Sequence, residues 1–431
     1  MLELKQGKLK NFKLFSCHSK RYLAIYLSNS KKELYVNRRE LRDVDKYFHS
    51  KGNIFYQSKI TGEKFTEEPK DYTPAKYRKF NDAEEKHKKI LKQINFYLNQ
   101  IKLPRYYFSK ASSCYKDNAT FHRGNTKFIL MDISSFFPNC TFEKVKEFCV
   151  KESGLNMVKT IVKEDGTKIY QTDVADAFAR LVTAPKNKNL NNRIIPQGYP
   201  TSTAISFLSY KEMFEEIADY ALSFNYKFSV YVDDLTFSYI EEKIDPYEFK
   251  NQVVKILEKY GHTSNPKKVK IIDIEKIKNN SGNDKYKGTI PIITGIFLKR
   301  YKVKAAPHIH KNLNRMFNKV NSAGPSKNSK EYMTNWKNFN SLLGLYNTVD
   351  FIEPKTKNKR IIIKKLINRK QKDFMTTISP NIIKKLKWED KIFNAYKSGR
   401  LNEFYIKNKD ILVKKANYNK REKKDKLLIY I

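Results

Sequence analysis

Lys227-Phe228-Ser229-Val230-Tyr231-Val232-Asp233-Asp234-Leu235-Thr236-Phe237-Ser238 is the stretch on which the fold of this chain turns. Apolar residues alternate on both sides of the acidic pair, Phe228 and Val230 before it, Leu235 and Phe237 after it. That period of two predicts two strands of a hairpin with Asp233 and Asp234 at the tip. Adjacent carboxylates at a turn repel each other, and a bound dication would cancel the repulsion. An ordinary Asp-rich turn is the plainer alternative.

Working outward, Lys127-Phe128-Ile129-Leu130-Met131 reads as a buried strand ending on Asp132. A helix is expected over 83–101, with Ile90, Ile94, Tyr97 and Ile101 at helical spacing and Leu103-Pro104 closing it. Another runs from Phe142 to Val150, capped by Thr141. Residues 160–195, rich in Lys and Asn, are expected as hairpins and loops. Pro200 opens a helix with Thr201 and Ser202 in its first turn; Ala204, Phe207, Leu208, Phe214, Ile217 and Ala221 form its inner face. A helix at 246–260 and a strand at 269–272 follow, while residues 1 to about 70 read as mostly helical. The sum is an α+β layout, helices packed behind a mainly antiparallel sheet.

Beyond about residue 300 the pattern is helical and more basic, with a loop at Ser322-Ala323-Gly324-Pro325-Ser326. Lysine clusters fill 355–431, interleaved with Phe374, Trp388, Phe393, Tyr396, Phe404, Tyr405 and Tyr418. Such aromatics either stack on bases while lysines track phosphates, or form a helical core under a solvated face.

The chain has 431 residues, enough for two or three cored domains. Lys+Arg number 86 against 45 Asp+Glu, a formal net charge of +41. An excess of that size concerns partners: nucleic acid first, an anionic membrane surface second. No run approaches the roughly 18 apolar residues of a spanning helix, and the first residues lack a secretory apolar segment. The four cysteines (Cys17, Cys114, Cys140, Cys149) form no C-x-x-C pair, so reduced thiols in a cytoplasm are expected.

Nucleotidyl transfer needs two divalent ions at the attacking and leaving oxygens. Mg²⁺ takes a few carboxylates plus substrate phosphates. Asp132 at a strand end, with Asp233 and Asp234 about a hundred residues later, supplies that donor set if the two strands pair.

These residues belong to a series of motifs that resembles a known family. Phe128-Ile129-Leu130-Met131-Asp132-Ile133-Ser134-Ser135-Phe136-Phe137-Pro138 resembles reverse-transcriptase motif A, and Ile195-Pro196-Gln197-Gly198-Tyr199-Pro200-Thr201-Ser202 motif B. Tyr231-Val232-Asp233-Asp234 is the Y-x-D-D of motif C, Asn265-Pro266-Lys267-Lys268 is similar to motif D, and Ile293-Thr294-Gly295-Ile296 lies at the primer-grip position. The likeness covers roughly residues 75–320. Asn118-Ala119-Thr120-Phe121-His122 and Ile293-Thr294-Gly295 resemble signatures of the bacterial retron-type enzymes. Tyr199 stands where a small residue is usual, Thr203 where Pro is usual, and Ile293 replaces Val. The related defence-associated and abortive-infection reverse transcriptases, some of which synthesise DNA without conventional template or primer, remain an alternative.

The resemblance implies a right-hand polymerase: an N-terminal region and fingers (1–125), palm (126–300) with a fingers insertion at about 150–198, thumb (301–354) and a basic helical C-terminal extension (355–431). It implies an RNA-directed DNA polymerase in antiphage defence, with a structured noncoding RNA as template, dNTPs as substrates and cDNA as product. Asp132 and Asp233 should ligate two Mg²⁺ ions (Mn²⁺ a possible substitute), with Asp234 assisting and the Ile133 carbonyl adding an oxygen. Phe137 should be the steric gate against ribonucleotides. Gln197 and Gly198 should line the nucleotide pocket, and Tyr199 should narrow it or touch the template base. Lys268, or Lys267 in register, should serve the departing pyrophosphate, and Arg78 should clamp the triphosphate. Asn118 and His122 are assigned to RNA or to structure. No ribonuclease H segment is evident, so a companion ribonuclease or effector protein is expected, no membrane is involved, and the oligomeric state is open. An RNA-binding module with a vestigial site is the rival from another class; intact Asp132, Asp233 and Asp234 argue against it.

Overall fold

A computed structural model describes residues 14, 17, 19–28, 35–49, 53–73, 76–151, 155, 160–162, 166, 168–170, 174–186, 189–278, 284–287, 289–299, 301–354, 358–374 and 378–421. The chain divides into two compact units, Met1–Thr289 and Ile290–Ile431.

The first unit is built on a four-stranded antiparallel sheet of order β11-β4-β10-β9, where β4 is Lys127–Asp132, β9 Lys227–Tyr231, β10 Asp234–Tyr239 and β11 Lys270–Asp273. One face is apolar: Phe228, Val230, Leu235 and Phe237 of the hairpin register with Ile129 and Met131 of β4. Helices α8 (Lys211–Ser223) and α9 (Pro246–Lys259) cover it, with Phe249 edge-on to Phe237 at 5.1 Å between ring centroids. Asp245 caps α9 by accepting from the backbone N–H groups of Tyr247 and Glu248 ahead of Pro246. The outer edge of β9 is closed by Tyr106–Phe108: Phe108 N–H donates to the Val230 carbonyl and Val230 N–H to that of Tyr106, which removes an exposed strand edge.

A second sheet, order β2-β1-β3, joins β1 (Asn53–Ser58), β2 (Lys64–Phe65) and β3 (Tyr77–Asp82). It corrects the helical expectation for residues 1 to about 70; in that stretch the one α-helix among the described residues is α1 (Lys20–Tyr26). Helix α2 (Glu85–Leu98) lies within the expected 83–101 and buries Ile90, Leu91, Ile94 and Leu98. Further along come α3 (Tyr115–Phe121), α4 (Phe136–Asn139) and α5 (Phe142–Lys151), the last capped as expected by Thr141, whose hydroxyl accepts from Lys144 N–H at 3.3 Å.

Residues 160–195 hold the hairpins β5–β6 (Thr160–Val162, Lys168–Tyr170) and β7–β8 (Ala184–Lys186, Asn189–Ile194), but between them stands an unexpected helix, α6 (Val174–Val182). The helix expected from Pro200 is two, α7 (Ser202–Ser209) and α8, broken at Tyr210. Of its expected inner face, Phe207, Leu208, Phe214, Ile217 and Ala221 are buried and Ala204 half-buried. A last hairpin, β12 (Glu275–Lys278) with β13 (Asp284–Lys287), closes the unit.

The second unit opens with a three-stranded sheet, β14 (Ile292–Ile293), β15 (Ile296–Lys299) and β16 (Lys302–Ala305). Helices α10 (Pro307–Ser322), α11 (Ser329–Ile352), α12 (Asn358–Gln371), α13 (Pro380–Lys385), α14 (Glu389–Lys397) and α15 (Leu401–Arg421) follow. Phe374, Trp388, Phe393, Tyr396, Phe404 and Tyr405 pack against a core holding Tyr332 and Trp336. Of the two readings of these rings, helical core is the one realised. The Tyr418 side chain lies outside the described residues.

Among the described residues no helix is long and apolar enough to cross a membrane. None of the four cysteines forms a disulfide among the described residues.

Candidate active site

Pairing of β10 with β4 puts Asp234 directly opposite Asp132. Cross-strand neighbours have Cβ atoms about 5 Å apart, and like charges there are destabilising. Asp233 is held in the turn by its backbone, its carbonyl accepting from Ile133 N–H at 2.9 Å. The turn is tight: Val232 has φ 61, a left-handed conformation that a β-branched residue adopts rarely and at a cost. Three carboxylates thus converge at the ends of β4 and β10, as the alternation and the strand-end placement predict.

Their electrostatics register the crowding. Burial first, then repulsion from Asp132, raises the Asp233 carboxyl. Asp234 is pushed up to about 7 by burial, then by Asp233 and Asp132. Relief comes from Lys268, whose Nζ lies 2.7 Å from Asp132 Oδ1. The Asn265–Lys268 segment makes this contact by an Asx turn: Asn265 Oδ1 accepts from Lys267 N–H, and Asn265 N–H donates to the Asp132 carbonyl. Of the two candidate lysines, Lys268 is the one brought to the carboxylates.

Arg78 lies exposed on β3, and its charge reaches Asp233. Beside it stands a group the sequence did not single out. Lys59, just beyond β1, is lowered by partial burial and then by repulsion from Arg78 and Lys268, while Asp132 raises it. Three cations therefore face the carboxylate cluster. No motif marks Lys59; it nears Arg78 only because β1 and β3 pair, Ser58 opposite Tyr77.

The two rings after Asp132 divide their tasks. Phe136 is buried against Phe214, Tyr210 and His262, whereas Phe137 is only half-buried. The Gln197–Gly198 loop is tied to β3, Asn81 N–H donating to the Gln197 carbonyl at 2.8 Å. Gly198 has φ +111, and a Cβ there would meet the Asn81 carbonyl oxygen at 2.7 Å. Its missing side chain is thus accounted for by the protein's own strand.

Asn118, His122 and Tyr199 depart from the expected RNA contacts. Asn118 and His122 are fully buried, and Tyr199 nearly so, edge-on to His87 at 5.3 Å. A side chain without solvent exposure cannot meet RNA directly, and a core position explains the bulk of Tyr199.

As a donor set, the carboxylate oxygens of buried Asp132 and half-buried Asp233 and Asp234 suit Mg²⁺ or Mn²⁺. Among the described residues no three His, Cys, Asp or Glu side chains form a preassembled metal site.

Residues 67–289, just over half the chain, match the family described as "Reverse transcriptase (RNA-dependent DNA polymerase)". The Retron Mx162 reverse transcriptase of Myxococcus xanthus is 27% identical over 130 residues, 29% of this chain and 25% of that protein. Among solved structures, apo telomerase from Candida tropicalis aligns with TM-score 0.35 and 13% identity over 65% of this chain and 52% of that one. Its C-terminally truncated form gives 0.33 and 14% over 51% and 45%. The chain thus spans a quarter of the curated relative and about half of each telomerase chain.

Proposed function

The chain belongs to the reverse transcriptase (RNA-dependent DNA polymerase) family, and from that membership we propose that it is an RNA-directed DNA polymerase of retron-like type. The observation that carries the reading is the convergence of Asp132, Asp233 and Asp234 beside Lys268, with the charges of Arg78 and Lys59 within electrostatic reach. Carboxylates with cations close by are what a nucleoside triphosphate needs: ligands for its metal ions and a clamp for its phosphates.

Two divalent ions, Mg²⁺ with Mn²⁺ as substitute, held by Asp132, Asp233 and Asp234 with the Ile133 carbonyl, would supply Lewis-acid stabilisation of the attacking and leaving oxygens. Arg78 and Lys59 grip the triphosphate, Arg78 by its planar fork and Lys59 as a point charge. Lys268 turns from Asp132 to the departing pyrophosphate and neutralises or protonates it. Phe137, left half-buried while Phe136 anchors the helix, lies under the sugar and excludes a 2′-hydroxyl. Gln197 and Gly198 bound the nucleotide on the β3 side.

In the same reading residues 1–125 hold the N-terminal region and fingers, 126–300 the palm with its insertion, 301–354 the thumb and 355–431 a basic extension. The charge of +41 fits a structured noncoding RNA as template and a cDNA product. Likeness to a retron enzyme supports a place in antiphage defence, with a companion ribonuclease H or effector.

Primer extension tests this. With oligo(dT) on poly(rA), dTTP and Mg²⁺, the wild-type chain should extend, and Asp233→Ala and Asp234→Ala should lose at least about 10³-fold in rate. Phe137→Ala should gain rUTP incorporation. Equal rates for wild type and both Asp variants would end the reading.

A further inference from the structure

Below the Asp233–Asp234 turn lies a buried polar chain that the proposed reaction does not use. Ser229 of β9 and Ser238 of β10 share a sheet face with Asp234 and Asp132, since Asp234 pairs with Tyr231 and Thr236 with Ser229. His122, just past α3, sits between them. Its Nδ1 is 2.6 Å from Ser238 Oγ and its Nε2 2.7 Å from Ser229 Oγ. Asn125 and Asn118 close the two ends. His122, Ser229, Ser238 and Asn118 are fully buried, and Asn125 nearly so.

The protons can be placed one by one. Ser229 donates its single hydroxyl proton to Asn118 Oδ1 at 2.6 Å. It can then only accept from His122, so Nε2 carries the ring proton. In a neutral ring Nδ1 is an acceptor, and it takes the Ser238 O–H. Ser238 Oγ in turn accepts from Asn125 Nδ2–H at 2.6 Å. The chain runs in one direction, Asn125 to Ser238 to His122 to Ser229 to Asn118, with the imidazole joining two strands that are consecutive only through the acidic turn. An Asn118 amide turned the other way would demand the opposite tautomer.

We infer that His122 is a positioning residue: as a neutral Nε2–H imidazole between Ser229 and Ser238 it fixes the register of β9 against β10, and so where the Val232–Asp234 turn presents its carboxylates. The strained Val232 needs such support, because a left-handed β-branched residue persists only when its surroundings over-determine it. A slip of one residue would move Asp234 to the opposite face of the sheet. Neutrality is secured by burial, then by the Lys227 ammonium, which together lower the ring to about 3. Lys227 itself donates to the Phe121 and Arg123 carbonyls, anchoring the end of α3 to β9.

The inference rests on the polymerase reading, and its test separates the two. In the full chain labelled with ring-¹⁵N histidine, one of the neutral Nε2–H imidazoles, unprotonated at pH 6.5 as at pH 7.5, should disappear in His122→Gln. In primer extension on poly(rA)/oligo(dT) with dTTP, His122→Leu that retains wild-type circular dichroism should lose about tenfold or more in kcat, with KM for dTTP changed less than about threefold. His122→Gln, which keeps one donor and one acceptor, should recover much of that loss, and Ser238→Ala should reproduce part of it. A residue that merely fills the core predicts wild-type kcat in any folded variant. An Nδ1–H tautomer, a loss confined to KM, or full kcat in folded His122→Leu or Ser238→Ala overturns the inference. A wild-type chain that extends no primer overturns the polymerase reading, and the positioning claim with it.

Discussion

Asp234 faces Asp132 across the strand pair and follows Asp233 in the chain, so the folded protein resists its ionisation. Its carboxyl titrates at about 7 in the fold, against about 3.9 unfolded. Between those limits the folded state keeps a proton that the unfolded state has released, so this group's contribution to stability falls as pH rises from about 4 to 7. Asp234→Asn removes the liability. It should raise stability at pH 8 by on the order of 1–4 kcal/mol and leave it nearly unchanged at pH 3.5. Thermal melts at the two pH values check this, and equal midpoints at pH 8 would contradict the crowding of the three carboxylates. The acids were legible in sequence because each ends a strand whose apolar alternation is local. Lys59 was not, since its neighbourhood with Arg78 exists only after strand pairing.

At the scale of elements, the point where β3 meets the loop before α7 carries the largest steric demand. Asn81 donates to Gln197 there, and Gly198 leaves no room for a Cβ against the Asn81 carbonyl. Gly198→Ala combines a forbidden φ with a backbone clash. It should destabilise the chain by about 2–4 kcal/mol and slow primer extension at least about tenfold, by pushing Arg78 of β3 away from the carboxylates. Gly62→Ala is the control: φ +73, but open space except for the Gln57 amide at 4.0 Å, so it should cost only about 1 kcal/mol. Urea melts of both variants separate the effects, and equal losses would deny the contact. The elements misread in sequence have separate causes. Strands β1 to β3 are mostly half-buried, Tyr56 alone being buried among their described residues, with Phe55 stacked on Phe80 at 4.9 Å, so no apolar alternation betrays them. Helix α6 escapes for another reason: Val174, Ala175, Ala177, Phe178, Ala179, Leu181 and Val182 are buried and Asp176 and Arg180 form its polar stripe, but at 9 residues it is too short to stand out from the Lys- and Asn-rich segments around it. The aromatic series beyond residue 370 was ambiguous because stacking platforms and helical cores use the same rings at the same spacing.

For the whole molecule, the two units differ in what they bury. The first holds four histidines kept neutral by their surroundings: His87 and His122 are lowered to about 3, His49 and His262 to about 4, burial being the leading cause in each. In the second, His308 is exposed and His310 half-buried. An unfolded histidine protonates near 6.5. Below that pH the unfolded state takes up protons that the folded first unit refuses, so stability is lost as pH falls from about 6.5 towards 4. Each histidine contributes about 2 kcal/mol to the loss by pH 5, a large total against the roughly 5–15 kcal/mol that holds a domain together. Asp234 works the other way, but it is one group against four. The second unit has its own core, and both tryptophans of the chain, Trp336 and Trp388, lie in it. Acidification from pH 7 to 5 should therefore lower far-ultraviolet circular dichroism and melt the first unit while tryptophan emission still reports a folded second unit. His87→Asn should move the circular dichroism midpoint to lower pH, since its ring no longer has to be kept from protonating. Coincident transitions by the two probes, or a midpoint indifferent to His87, would mean that acid stability is set elsewhere than in these buried imidazoles.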